Sequence, residues 1–181
     1  MTGRIFKSIR RLAGLVAAGA SLALYLPASP ASAATDTFGY PQRLTNYNSG
    51  LCLEVQGWST VNGGTVGQWD CHLGKNQQWF FADQGPGDII WNANSGKCLE
   101  VADWSTLNGA PVRQWECTGR ANQQWVWMGT VKDGYNYNVI RNVYSNKCLE
   151  VADWRRDNGA PVRQWDCHYG DNQVFYVADA F

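Results

Sequence analysis

Beyond the first 33 residues the apolar positions fall in short runs, and long helix-forming stretches are absent. In segment 87–134 the alternating or apolar runs are Asp88–Asn92, Cys98–Val101, Pro111–Trp115 and Gln124–Trp127. Turn residues separate them: Asn94-Ser95-Gly96, Asn108-Gly109 and Thr118-Gly119. Short runs bounded in this way predict β-strands, and the chain reads as an all-β protein.

The pattern recurs. Residues 51–79, 97–125 and 147–175 align without a gap. The first two segments share 17 of 29 positions and the last two share 19 of 29, at offsets of 46 and 50 residues. Repeats at about 39–86, 87–134 and 135–181, with four strands each, predict about twelve strands. An open array of three units would be nearly all cap. Closure by threefold symmetry leaves no sheet edge exposed and is the expected solution.

Each repeat holds two cysteines 19 residues apart. Equivalent units should close equivalent loops, which predicts Cys52–Cys71, Cys98–Cys117 and Cys148–Cys167. Zinc is the competing use of paired cysteines, but the long spacing and the missing Cys/His quartet disfavour it. No metal and no cofactor is expected.

The Cys-Leu-acid-Val opening, the Asn-Gly turn, the x-x-Trp-acid-Cys block and the closing Gln-x-Trp resemble the ricin B-type lectins. These are also called R-type lectins or family 13 carbohydrate-binding modules. The resemblance covers residues 43–177 and implies a β-trefoil of three subdomains. It also implies that Trp79, Trp125 and Phe175 pack together around the threefold axis, the last without an indole N–H.

Sugar binding needs an aromatic face for the C–H side of a pyranose, a carboxylate for its hydroxyls and an amide that donates and accepts. Each repeat carries that set, and the family's sugar-contacting positions map onto it. In the first it is Glu54, Trp69, Asn76 and Gln77. In the second it is Glu100, Trp115, Asn122 and Gln123. In the third it is Glu150, Trp165, Asn172 and Gln173. Two departures stand out. The acid is Glu where the family usually has Asp, and Gly67, Arg113 and Arg163 stand where the family often has Gln. Asp103 occurs with Arg113 and Asp153 with Arg163, while repeat one has Gly57 and Gly67. Joint presence or absence predicts a direct Asp–Arg pair and leaves the first pocket more open. Trp58, Trp104 and Trp154 form either a second wall of each pocket or a cover for the disulfide.

The N-terminus adds a compartment. Arg4, Lys7, Arg10 and Arg11 precede an apolar run over 12–26, and Ala31-Ser32-Ala33 offers a cleavage site. Residues 1–33 therefore read as a secretory signal peptide and 34–181 as the lectin domain, secreted and extracellular. The apolar run is too short to span a membrane comfortably. Export to an oxidising compartment agrees with disulfides. The formal net charge is zero, without a basic stripe, which argues against nucleic acid and anionic membranes as partners. Enzymatic activity is not expected: only His72 and His168 are present, no nucleophile motif occurs, and the repeats use up the chain. The expected function is a non-catalytic carbohydrate-binding lectin with up to three sugar sites for a glycan or polysaccharide. The alternative is a protein-interaction or cell-surface targeting subunit of a secreted complex, with the trefoil as adaptor.

Overall fold

A computed structural model describes residues 39–180; the expected signal peptide at 1–33 lies outside the described residues. The strands are β1 (Gln42–Asn46), β2 (Cys52–Val55), β3 (Val66–Trp69), β4 (Trp79–Asp83), β5 (Asp88–Asn92) and β6 (Cys98–Val101). They continue with β7 (Val112–Trp115), β8 (Gln124–Lys132), β9 (Tyr135–Asn142), β10 (Cys148–Val151), β11 (Val162–Trp165) and β12 (Val174–Asp179). Short 3-10 turns supply the only helical geometry among the described residues.

Pairing explains why no edge is left bare. Strands β1, β4, β5, β8, β9 and β12 pair antiparallel in a closed circuit, β12 returning to β1 through Gln42–Asp179 to Asn46–Phe175. Three hairpins, β2–β3, β6–β7 and β10–β11, attach through Thr45–Cys52, Trp91–Cys98 and Arg141–Cys148. The hairpins touch one another through the bridges Thr65–Arg113, Gly67–Pro161 and Pro111–Arg163. A six-stranded barrel capped by a hairpin triplet is a β-trefoil. Closing both layers removes the unpaired N–H and C=O rows that make edge strands sticky.

The core repeats with the sequence. Leu53, Leu99 and Leu149 are buried beside Trp79, Trp125 and Phe175. Side chains of this kind contribute about 1.5–3 kcal/mol each when buried. The Trp79 indole donates to the Leu53 carbonyl and Trp125 to that of Leu99, both at 3.0 Å. Phe175 fills the third place without that bond.

Buried amides tie the repeats together. Gln114 Nε2 donates to the Ser59 and Val61 carbonyls, Gln164 to those of Ser105 and Leu107, and Gln68 to those of Arg155 and Asp157. The second and third hairpins thereby clamp the loop of the preceding repeat, and the first hairpin clamps the loop of the last. The disulfides join Cys52 to Cys71, Cys98 to Cys117 and Cys148 to Cys167.

Two element ends differ from the sequence pattern. The strand expected from Pro111 begins at Val112, because proline has no N–H for the ladder. The run expected to stop at Trp127 continues to Lys132 in a long hairpin with β9, which holds the additional residues of the 50-residue offset.

Candidate functional site

Each repeat forms one cleft between its hairpin and the 3-10 turn that follows β3, β7 or β11. The carboxylate comes first. Glu54 leaves β2 opposite Gly67 and is 5 % exposed. Its Oε2 accepts Nδ2 of Asn76 and Nε2 of Gln77, both at 3.2 Å. Glu100 and Glu150 are held the same way by Asn122 with Gln123, and by Asn172 with Gln173, at 3.1–3.4 Å. A buried carboxylate must be paired or hydrogen-bonded, and these amides meet that need.

Gln77, Gln123 and Gln173 stand behind the acid. They are fully buried, and each Nε2 also donates to a carbonyl at Asp70, Glu116 or Asp166. Their Oε1 atoms accept the amides of His72, Thr118 and His168. Every polar atom is thus used inside the protein, and these residues position the carboxylate rather than face the cleft. The asparagines differ. Oδ1 of Asn76 and of Asn172 is buried and meets no donor among the described residues. A buried acceptor without a partner is costly.

The platform tryptophans do not present equal faces. Trp69 is 42 % exposed. The Arg113 guanidinium lies over Trp115 and that of Arg163 over Trp165, each 4.4 Å from the ring centroid. Each arginine also bridges two acids. Arg113 Nε meets Glu100 Oε1 at 3.0 Å and Nη2 meets Asp103 Oδ1 at 2.9 Å. Arg163 meets Glu150 at 2.9 Å and Asp153 at 3.0 Å. The expected Asp–Arg pairs form, and they extend to the pocket acid and the ring face. In repeat one, no donor among the described residues meets Glu54 Oε1. A Cβ at Gly67 would lie 2.3 Å from Gln56 Nε2 and 2.8 Å from the Ala160 carbonyl, so a side chain here would have to shift both. Cleft volumes follow this difference: about 460 Å³ in repeat one, 230 Å³ in repeat two and 360 Å³ in repeat three.

Trp58, Trp104 and Trp154 line these clefts as the opposite wall. Left-handed backbone holds them there, with φ of 55°, 55° and 56°, preceded by Gly57, Asp103 and Asp153 in the same region. For a non-glycine residue that conformation costs about 1–2 kcal/mol. His72 stacks on Trp58 with centroids 6.1 Å apart, and His168 on Trp154 at 5.8 Å. Nδ1 of each accepts a glycine amide, so Nε2 carries the hydrogen facing Glu54 or Glu150. In repeat two Thr118 replaces the histidine, and Trp104 packs edge-on against Tyr144.

One part of each cleft belongs to a neighbouring repeat. A Cβ placed on Gly159 would lie 3.7 Å from the edge of Trp69, one on Gly63 3.7 Å from Trp115, and one on Gly109 3.6 Å from Trp165. The rim of cleft one is therefore the loop of repeat three. The sequence pattern marks neither this exchange nor the histidine wall. The recurrence of His after the second Cys in repeats one and three is the one trace of the latter.

The profile of the ricin-type beta-trefoil lectin domain matches residues 40–175. The chain belongs to this family. A designed threefold symmetric protein, ThreeFoil, is 36 % identical with a TM-score of 0.72, covering 77 % of this chain and 98 % of that one. An exo-beta-1,3-galactanase from Clostridium thermocellum is 30 % identical with a TM-score of 0.74; the match covers 80 % of this chain but 31 % of the galactanase. The ricin B-like lectin of Macrolepiota procera, solved with lactose, shares the fold at 21 % identity and a TM-score of 0.65, over 78 % of this chain and 96 % of its own.

Proposed function

We propose that this protein is a secreted, non-catalytic carbohydrate-binding module whose principal sugar site is the cleft of the first repeat. The observation that carries the reading is the bare face of Trp69 beside an unpaired Glu54 Oε1, where Trp115 and Trp165 are covered by arginine. A pyranose stacks on Trp69 against the opposing wall of Trp58 and His72. Glu54 Oε1 accepts its hydroxyls, and Asn76 and Gln77 hold the carboxylate in place. The sugars in two neighbours' structures, lactose with the Macrolepiota procera lectin and GalNAc with an earthworm R-type lectin, support the ligand class.

Hydrolysis of a glycosidic bond uses two carboxylates across that bond. Glu54 is the single carboxylate lining cleft one, and in cleft two Arg113 bridges Glu100 and Asp103 and stands between them. This supports binding without catalysis. Clefts two and three serve as weaker sites that add avidity. A glycan array probed with the purified protein and with Trp69→Ala tests the reading: sugar binding that depends on Trp69 is expected, and absence of binding to every glycan contradicts it.

The adaptor reading is favoured by the two arginine-filled clefts, whose flanking Trp104 and Trp154 stay exposed. It predicts capture of a protein partner that survives Trp69→Ala.

A further inference from the structure

We infer that Gln56 is a specificity-determining residue of cleft one, its side-chain oxygen accepting a further hydroxyl of the pyranose stacked on Trp69. The inference rests on the reading of cleft one as the principal sugar site and adds a residue to it.

The repeats exchange one long side chain between two positions. Two residues past the pocket acid they read Gln56, Ala102 and Ala152; thirteen past it they read Gly67, Arg113 and Arg163. The long side chain stands at one position or at the other, never at both. Packing gives the reason. The Gln56 amide lies against Gly67, where a Cβ on residue 67 would come within 2.3 Å of Nε2 and 3.0 Å of Cδ. Repeats two and three put a side chain on that strand position, and there the facing residue is a small, buried alanine. In those repeats the polar atoms of the long side chain are spent on two acids each.

In repeat one they are spent only in part. Gln56 Nε2 donates to the Gly159 carbonyl at 3.1 Å. A carbonyl only accepts, so this bond fixes which end of the amide is the nitrogen. The other end, Oε1, meets no donor among the described residues. Gln56 is half-buried and lines cleft one together with Glu54, Trp58 and Trp69. Val55 between them is extended, with φ of −81° and ψ of 112°, so Glu54 and Gln56 leave the backbone on the same side. Cleft one thus offers a carboxylate oxygen and a neutral amide oxygen to one ligand. A pyranose carries hydroxyls around its rim, and each acceptor that pairs with one of them discriminates against the sugar that lacks it. Alanine in clefts two and three supplies no such acceptor.

The test titrates the purified protein with methyl β-galactoside and methyl β-glucoside, then with the monodeoxy derivatives of the parent that binds. Gln56→Met keeps a long side chain against Gly67 and removes the amide; Gln56→Ala is the second variant. Both should bind the parent about fivefold more weakly than the native protein. One deoxy position that costs the native protein about fivefold should cost the variants nothing, while the other positions keep their ratios. Trp69→Ala should remove binding to every derivative. The inference is overturned if the variants bind the parent as tightly as the native protein does. It is also overturned if they weaken the parent and all deoxy sugars equally, since that is what loss of the Gly159 anchor alone would do. In either case Trp69-dependent binding leaves the cleft reading standing. A native protein that binds neither parent overturns this inference, and Trp69-dependent binding on the glycan array would then still support the cleft.

Discussion

The Arg113 guanidinium lies 4.4 Å from the centroid of the Trp115 ring, covering the face on which a sugar would stack. It holds that position through Glu100 at 3.0 Å and Asp103 at 2.9 Å. A ligand entering cleft two must displace a partly buried cation from two acids and a ring. Cleft one needs no such displacement.

Removing the cover should open the second cleft. Arg113→Ala is expected to raise sugar-binding stoichiometry while lowering stability by about 1–3 kcal/mol, because buried Glu100 loses its charged donor. Titration calorimetry reads the first effect and urea unfolding the second. Unchanged stoichiometry in a folded variant would mean the arginine is not what closes this cleft.

Part of this relationship is legible in the sequence and part is not. Joint occurrence of Asp103 with Arg113, and of Asp153 with Arg163, suffices to predict a pair, because an ion pair loses its purpose when one member goes. Stacking of the same arginines on Trp115 and Trp165 leaves no such trace, since those tryptophans are present in all three repeats. Gln77, Gln123 and Gln173 recur as strictly as Glu54, Glu100 and Glu150. Repetition alone does not separate a side chain that faces the cleft from one that holds the acid from behind. The delivery of Gly159 to cleft one depends on which neighbour each hairpin clamps, and that direction is set by the closure of the barrel.

Trp125→Phe should cost about 1–3 kcal/mol, because the buried Leu99 carbonyl loses its indole donor. The third repeat already lives without that bond at Phe175. Urea denaturation checks it. A loss well below 1 kcal/mol would show that the bond is not a net contributor.

Reduction should be severe. Each disulfide closes a loop of about 20 residues, and each contributes about 3 kcal/mol in the chain-entropy account. Melting under strong reductant is expected to drop far below the oxidised value. An unchanged melting temperature after verified reduction would contradict this.

Asp88 gives a pH signature. Burial raises its pKa above the usual carboxylate value, with the nearby Asp83 adding to the shift, while the Trp127 indole bond at 2.8 Å opposes it. The folded state thus holds this proton more tightly than the unfolded chain. Asp88 contributes a stability loss that sets in as pH rises from about 3.9 through the raised value. Asp88→Asn keeps an acceptor for Trp127 and removes the charge. Its melting temperature relative to the native protein should rise with pH across that window and level off above it. A difference constant from pH 3 to 7 would refute the assignment.

Whether repeat one carries the principal sugar site is decided by single alanine substitutions of the platform tryptophans. Trp69→Ala, Trp115→Ala and Trp165→Ala would be compared for binding to an immobilised glycan recognised by the native protein, with melting curves to verify folding. Trp69→Ala is expected to lose at least tenfold in affinity, a stacking loss of about 1.4 kcal/mol, while the other two lose little. Intact binding in Trp69→Ala with loss in Trp115→Ala or Trp165→Ala would contradict it and make Arg113 and Arg163 ligand-binding groups.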